Sequence, residues 1–169
     1  RFTSLKTVSF ILMLLVILPL SLYFNYLLLT DPAKAPLPKE ERIGYLEEWT
    51  AGWGQKEVAA YLIDRATQGE TIVIGTDGFF GTLPDGLQIY TQAYPKITVI
   101  GGSPSITAIP TSLSDSLKDK NNTVYLVANK SRVKLPESEL SRLKLIAEYP
   151  KPARTNGTHE SLLFYRLVR

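Results

Sequence analysis

Residues 71–86, TIVIGTDGFFGTLPDG, carry the reading of the fold. The first four are a β-branched run closed by Gly75, the pattern of a strand buried on both faces. A glycine-punctuated segment then leads from Gly75 to Gly86, and a helix-compatible stretch follows at residues 87–94. The alternation recurs downstream. Apolar runs at residues 97–100 and 123–128 begin at intervals of about 26 residues from the first, with a second helix-compatible stretch at 112–120 between them. Parallel strands need crossovers of a dozen or more residues, so this spacing predicts a parallel βαβ core with helices on its faces.

The flanks extend that core. Residues 54–69, GQKEVAAYLIDRATQG, place Val58, Ala59, Leu62, Ile63 and Ala66 on one helical face, with Lys56, Glu57, Asp64 and Arg65 largely off it. Gly69 is the natural stop. Near the C-terminus, runs at 143–149 and 162–168 are separated by PKPARTNGTHE, in which Asn156-Gly157 supplies a turn. They predict an antiparallel pair at one edge of a sheet of about five strands. The expected fold class is therefore α/β: an N-terminal transmembrane helix, then a small, mostly parallel three-layer α/β domain with a C-terminal antiparallel strand pair. The expected divisions are a membrane helix at 1–29, a Pro-rich juxtamembrane spacer at 30–42 and the α/β domain at 43–169.

The membrane expectation rests on residues 7–29, TVSFILMLLVILPLSLYFNYLLL, which contain no charged side chain. As a helix this run reaches ~34 Å, enough to cross a hydrocarbon core of about 30 Å. Ser9, Pro19, Ser21 and Asn25 within it suit packing against neighbouring helices. With Arg1 in place of Met and only six residues before the run, the chain is expected to be the last span and C-terminal piece of a longer protein. A cleaved signal peptide is the rival, with Arg1 and Lys6 as its basic region and Ala33-Lys34-Ala35 mimicking a cleavage site. Signal cores span about 7–15 residues, shorter than this run. The spacer, TDPAKAPLPKEER, is expected to be extended.

Composition narrows the function classes. The formal charge is +3, and with Arg1 and Lys6 set aside the remainder is nearly neutral and has no like-charge block. Nucleic acid therefore has no electrostatic footprint here. Cysteine is absent, which removes thiol nucleophiles and thiolate metal sites. Glu40, Glu41, Glu47 and Glu48 read as a solvated charge run rather than a metal site, and His159 as a solvated loop residue; no G-x-S-x-G or phosphate-binding fingerprint is present. Sequons at Asn121, Asn129 and Asn156 are weak pointers to a secreted-side location.

Candidate ligand contacts lie where loops leave the carboxyl ends of strands: Asp77, Gly78, Asp85 and Gly86 after the first strand, and Gly101, Gly102 and Ser103 after the second. Backbone amides there can hold a sugar or phosphate, with carboxylates accepting from hydroxyls. The competing reading is structural, with Pro84-Asp85-Gly86 a turn and helix cap and Asp77 an Asx-turn residue. Trp49 and Trp53 are candidate aromatic contacts for a sugar ring or the membrane interface, or packing residues.

The order of several segments resembles a known family: a last membrane helix, Asp31-Pro32, Ala35-Pro-Leu-Pro38, Tyr45-Leu-Glu-Glu-Trp-Thr-Ala-Gly-Trp-Gly54, Lys56-Glu-Val58, Gly81-Thr-Leu-Pro-Asp-Gly86, Tyr149-Pro-Lys-Pro152 and Leu163-Phe-Tyr-Arg166. Over nearly its whole length the chain resembles the C-terminal region of GT-C class membrane glycosyltransferases of family 39, the dolichyl-phosphate-mannose-protein mannosyltransferase type. The resemblance implies a polyprenyl-phosphate sugar donor, a parent enzyme with a divalent metal, and catalysis by an acidic residue near N-terminal spans outside these residues. It assigns no catalytic residue, cofactor or metal ligand to this chain. It implies an extracytoplasmic domain whose partners are the bilayer, upstream transmembrane helices and a lipid-linked sugar or its acceptor. The alternative class is a single-span anchored module that recognises a sugar or peptide; a soluble hydrolase released by cleavage lacks its nucleophile signature.

Overall fold

The computed structural model describes residues 2–168, and among them the side chains from Lys6 onward. The chain divides after Glu41 into two compact units.

The first unit is dominated by helix α1, Phe2–Thr30, with Pro19 inside it. Residues Lys6–Thr30 are long and apolar enough to cross a membrane, and Val8, Phe10, Leu15, Leu22 and Leu29 all lie exposed on the helix. The segment after it is not the extended spacer that its prolines suggest. Asp31 and Lys34 pair at 2.7 Å across a 3-10 turn, Pro32–Lys34, and helix α2, Lys39–Arg42, follows. Pro32 opens its turn, where a missing amide proton is no loss.

In the second unit a wide helical turn, Ile43–Glu47, leads through residues 48–54 into helix α3, Gln55–Thr67. Then come β1 (Thr71–Thr76), α4 (Thr82–Thr91), β2 (Ile97–Gly101), α5 (Thr111–Ser116), β3 (Asn122–Asn129), α6 (Glu137–Leu140), β4 (Leu143–Pro150) and β5 (Ser161–Leu167). The sheet order is β2-β1-β3-β5-β4. β1 runs parallel to β2 and β3, whereas β5 is antiparallel to β3 and β4. The sheet is thus mixed rather than mostly parallel, because the terminal pair contributes as many pairings as the βαβ core.

Alternation along the central strands sorts their side chains into two buried clusters. Ile72, Ile74, Tyr125, Val127 and Phe164 meet Val58 and Leu62 of α3 and Leu87 of α4. Val73, Val124 and Leu126 meet Ile109 and Leu113, the latter on α5. In the first cluster Tyr125 and Phe164 lie with ring centroids 5.3 Å apart, and Tyr61 stands edge-on to Phe164 at 5.2 Å. Each such pair adds about 1 kcal/mol to area burial. The exposed strand β4 carries a bulge between Leu145 and Ala147, a feature that discourages edge-to-edge pairing.

The approach to α3 is fixed by close packing. Gly54 has φ +86°, and a Cβ there would lie 2.7 Å from Tyr149 Cβ. A side chain at this position meets both a left-handed backbone and a filled neighbour. Gly54→Ala is expected to destabilise the domain by about 2 kcal/mol or more, read as a lower Tm in thermal denaturation of the full chain; an unchanged Tm contradicts the tight Gly54–Tyr149 approach.

Candidate functional site

The chain leaves β1 on one side through α4 to β2, then crosses back through α5 to β3 on the other side. In an open α/β sheet such a reversal opens a crevice outside the carboxyl ends of the two divergent strands. Here those ends carry Asp77, which follows β1, and Asn129, the last residue of β3. Asp77 N donates to Val127 O at 3.3 Å, so the first residue of the loop is still held by the sheet.

Both side chains are buried. Asn129 Nδ2 donates to Asp77 Oδ2 at 3.1 Å, and the contact to Oδ1 is 3.5 Å. Arg132 Nε lies 3.5 Å from Asp77 Oδ2, and the guanidinium stacks over the Trp49 ring at 3.7 Å. Arg132 Nη1 also donates to Pro104 O at 2.8 Å. A short pairing around Ile106, which donates to Arg132 O and accepts from Lys134 N, both at 2.9 Å, draws the two loops together. Burial pushes the Asp77 carboxyl upward, opposed by the Asn129 bond and Arg132.

Behind Asn129 sits Lys151, 1% exposed. Its Nζ donates to Asn129 Oδ1 at 2.7 Å, Ala51 O at 2.9 Å and Glu48 O at 3.0 Å, with Trp49 O at 3.4 Å. Four acceptors surround three protons, so the ammonium is fully engaged. Burial pushes its pKa down to about 8, against the pull of Glu160, Asp77 and Glu48. Glu160 Oε1 accepts from Ser131 N at 3.1 Å and Ser161 N at 2.9 Å. Burial pushes its carboxyl up, but those bonds and Lys151 outweigh it and hold it below the usual range. Arg154 closes the group with two parallel bonds to Glu48, 2.8 and 3.0 Å, the geometry in which a guanidinium holds a carboxylate most firmly. Asp77, Glu48 and Glu160 are balanced by Lys151, Arg132 and Arg154.

In front of Asp77 lies a cavity of about 150 Å³, lined by Trp49, Asp77, Phe79, Phe80, Asn129 and Arg132 with Gly78, Leu83 and Pro104. Of the residues expected to contact a ligand, Asp77, Gly78 and Trp49 line it. The others have structural work. Asp85 Oδ2 accepts from Gly81 N at 2.8 Å, Gly86 makes room for Gln55 and Gly101 for Pro84. Gly102 N donates to Gly78 O at 2.9 Å, and Gly78 N to Ser103 O at 3.3 Å. These contacts brace the loop from behind. Strand β1 runs on to Thr76 and α4 begins ahead of residue 87, though its first turn is broken at the extended Leu83 (φ −119°, ψ 133°), so the connection after β1 is shorter than expected. Trp53 is exposed and does not line the cavity.

Two further expectations are corrected. Glu47 is buried and pairs with Arg42, and Glu48 holds Arg154, so neither belongs to a solvated charge run. Asn129 cannot serve as a glycan acceptor in the folded domain, because its Nδ2 is buried against Asp77; Asn121 and Asn156 are exposed. His159 is an exposed loop residue, as expected, and its Nδ1 lies 2.9 Å from Lys151 O, a contact that requires the proton on Nδ1. Among the described residues no three His, Cys, Asp or Glu side chains gather in a group that could hold a metal. Asn129, Arg132 and Lys151 gave no sequence signal as site residues. The adjacent Phe79 and Phe80 in a glycine loop were a usable one, since connecting loops are ordinarily polar.

Comparison with family models, curated proteins and solved structures finds no match to this chain.

Two outcomes follow from the buried lysine. Lys151→Met strips the donor from Asn129 and three carbonyls and unbalances the buried carboxylates. It is expected to cost about 3–5 kcal/mol in denaturant unfolding, whereas a loss below about 1 kcal/mol contradicts the network. The pH dependence has a definite sign. Between about 8, where folded Lys151 titrates, and about 10.4, where an unfolded lysine does, the unfolded chain binds more protons, so this group makes stability rise with pH. Comparing Tm against pH for the parent and Lys151→Met isolates that slope; identical slopes contradict it.

Proposed function

We propose that this chain is the last membrane span and the non-catalytic, extracytoplasmic accessory domain of a membrane glycosyltransferase that uses a polyprenyl-phosphate sugar. The observation that carries the reading is the crevice between β1 and β3. A buried carboxylate and amide, Asp77 and Asn129, lie there under an aromatic rim, on a domain that follows a membrane-length helix in the chain. Ligands of open α/β sheets bind in this position.

The helix supports the membrane half of the proposal. Its apolar side chains are exposed, and a helix apolar all round belongs in lipid or among other helices. Ser9, Ser21 and Asn25 are exposed on it too, and polar side chains in a span are best satisfied by neighbouring helices of the same protein. The two buried clusters support a three-layer α/β arrangement for the domain, with α3 and α4 on one side of the sheet and α5 on the other. The site's polar groups hold one another in place, and the Lys151 amine is spent on acceptors, which suits ligand holding better than covalent chemistry. The domain's role is to hold a sugar or acceptor beside the transferase.

A single-span anchored module that binds a sugar or peptide is the second reading, favoured by a cavity complete within the domain. The upstream coding sequence separates the two. Several further hydrophobic spans, with an acidic residue in an early external loop, are expected; a start codon a few residues before Arg1 contradicts the accessory role. The chain is also expected to stay with membranes through an alkaline carbonate wash, and external protease is expected to cut near Arg154 in intact cells. Release into the wash removes the span, and protection from protease reverses the sidedness.

A further inference from the structure

We propose that the cavity outside β1 and β3 is a binding site for one uncharged sugar ring, with hydroxyls directed to Asp77 and Arg132 and a ring face laid against Phe79 and Phe80. This deepens the accessory-domain reading and rests on it for the ligand's setting, while the site's chemistry stands on its own geometry.

Size comes first. About 150 Å³ accommodates a single six-membered ring and excludes an oligosaccharide from the enclosed part. Charge comes second. A carboxylate ringed by aromatics would ordinarily suit an ammonium ligand, but the Arg132 guanidinium already covers the Trp49 face and stands 3.5 Å from Asp77. A second cation meets that charge. An anion meets Asp77 instead. A neutral ligand avoids both penalties.

Hydrogen-bonding capacity then selects the class of neutral ligand. Asp77 Oδ1 has a 3.5 Å contact to Asn129 Nδ2, and the backbone amides of Asn129 and Asp77 also bear on the carboxylate; its lone pairs exceed these contacts, leaving acceptor capacity in a side chain 3% exposed. The Arg132 guanidinium faces Asp77 through Nε and Pro104 O through Nη1, and its remaining N–H protons leave donor capacity close by. A hydroxyl donates and accepts through one atom, and a polyol ring offers several at fixed spacing.

The rim supplies the apolar half of sugar recognition. Phe79 and Phe80 are 66% and 82% exposed, and flanking glycines at φ +81° and +93° turn the chain sharply around them. The loop is pinned behind through Gly78 and at its end through Gly81 and Asp85. Two aromatic rings are thus held out at the cavity mouth, where the C–H face of a sugar finds flat apolar surface.

The test uses the full chain in nanodiscs with Trp53→Phe, so that Trp49 is the remaining indole of the two. Methyl hexopyranosides are titrated while Trp49 fluorescence is followed, with glucosamine and glucuronate as charged counterparts of similar size. Saturable changes with at least one neutral glycoside, weaker with both charged sugars, are expected. Asp77→Asn, which keeps shape but loses acceptor strength, is expected to weaken binding about tenfold. Phe80→Ser is expected to weaken binding with Tm unchanged, since that ring packs on little. The proposal is overturned if no neutral glycoside gives a saturable response, if a charged sugar binds more tightly, or if Phe80→Ser binds like the parent. A failure here, with further spans found upstream, removes the sugar site and leaves the accessory-domain reading intact. Glycoside binding by a chain whose coding sequence starts near Arg1 does the reverse.

Discussion

A lysine ammonium withdrawn from water is tolerable only when oxygen atoms replace its hydration, and the carboxyl edge of this domain is organised around that requirement. Lys151 enters from the end of β4, yet its acceptors come from the end of β3 and from residues 48–51 ahead of α3. One side chain therefore ties three separate stretches of chain together. Asn129 passes the constraint forward: its carbonyl oxygen faces Lys151 while its amide faces Asp77. The position of the Asp77 carboxylate is thus set from behind by a cation that does not line the cavity.

The same arrangement explains why the cavity floor is rigid and its rim exposed. Asp77 and Asn129 stand on the ends of buried parallel strands, and Arg132 is fixed by Trp49, Pro104 and Asp77 together. Phe79 and Phe80 hang on the short connection after β1, largely exposed. Preorganised polar groups lose little entropy when a ligand arrives, and an exposed aromatic rim gains apolar burial at that moment. This division of labour fits a holding site.

Much of the architecture was legible because it depends on local periodicity. The runs at 71–74, 97–100 and 123–128 all fall inside observed strands; β1 and β3 are largely buried, and strands covered on both faces cannot avoid reading as apolar. The face of α3 was legible too: Val58, Ala59, Leu62 and Ala66 are buried as their spacing requires. The spacer failed for an opposite reason. Proline without context suggests extension, whereas at the first position of a turn it assists helical geometry.

The site was legible only at Asp77, Gly78 and Trp49. Its remaining polar members are joined by bonds spanning 22, 52 and 100 positions of sequence, and no periodicity or spacing records such pairings. Asn129 even carried a misleading signal, because its tripeptide matches a glycan acceptor while its fold position demands burial. The most direct test of this account is side-chain ¹⁵N NMR of the lysine ammonium groups in the intact chain. One resonance is expected to be protected from solvent exchange, to show cross-peaks to Ala51 and Asn129, and to titrate near 8. If every lysine exchanges rapidly and titrates near 10.4, Lys151 is in water and the edge is not held as described.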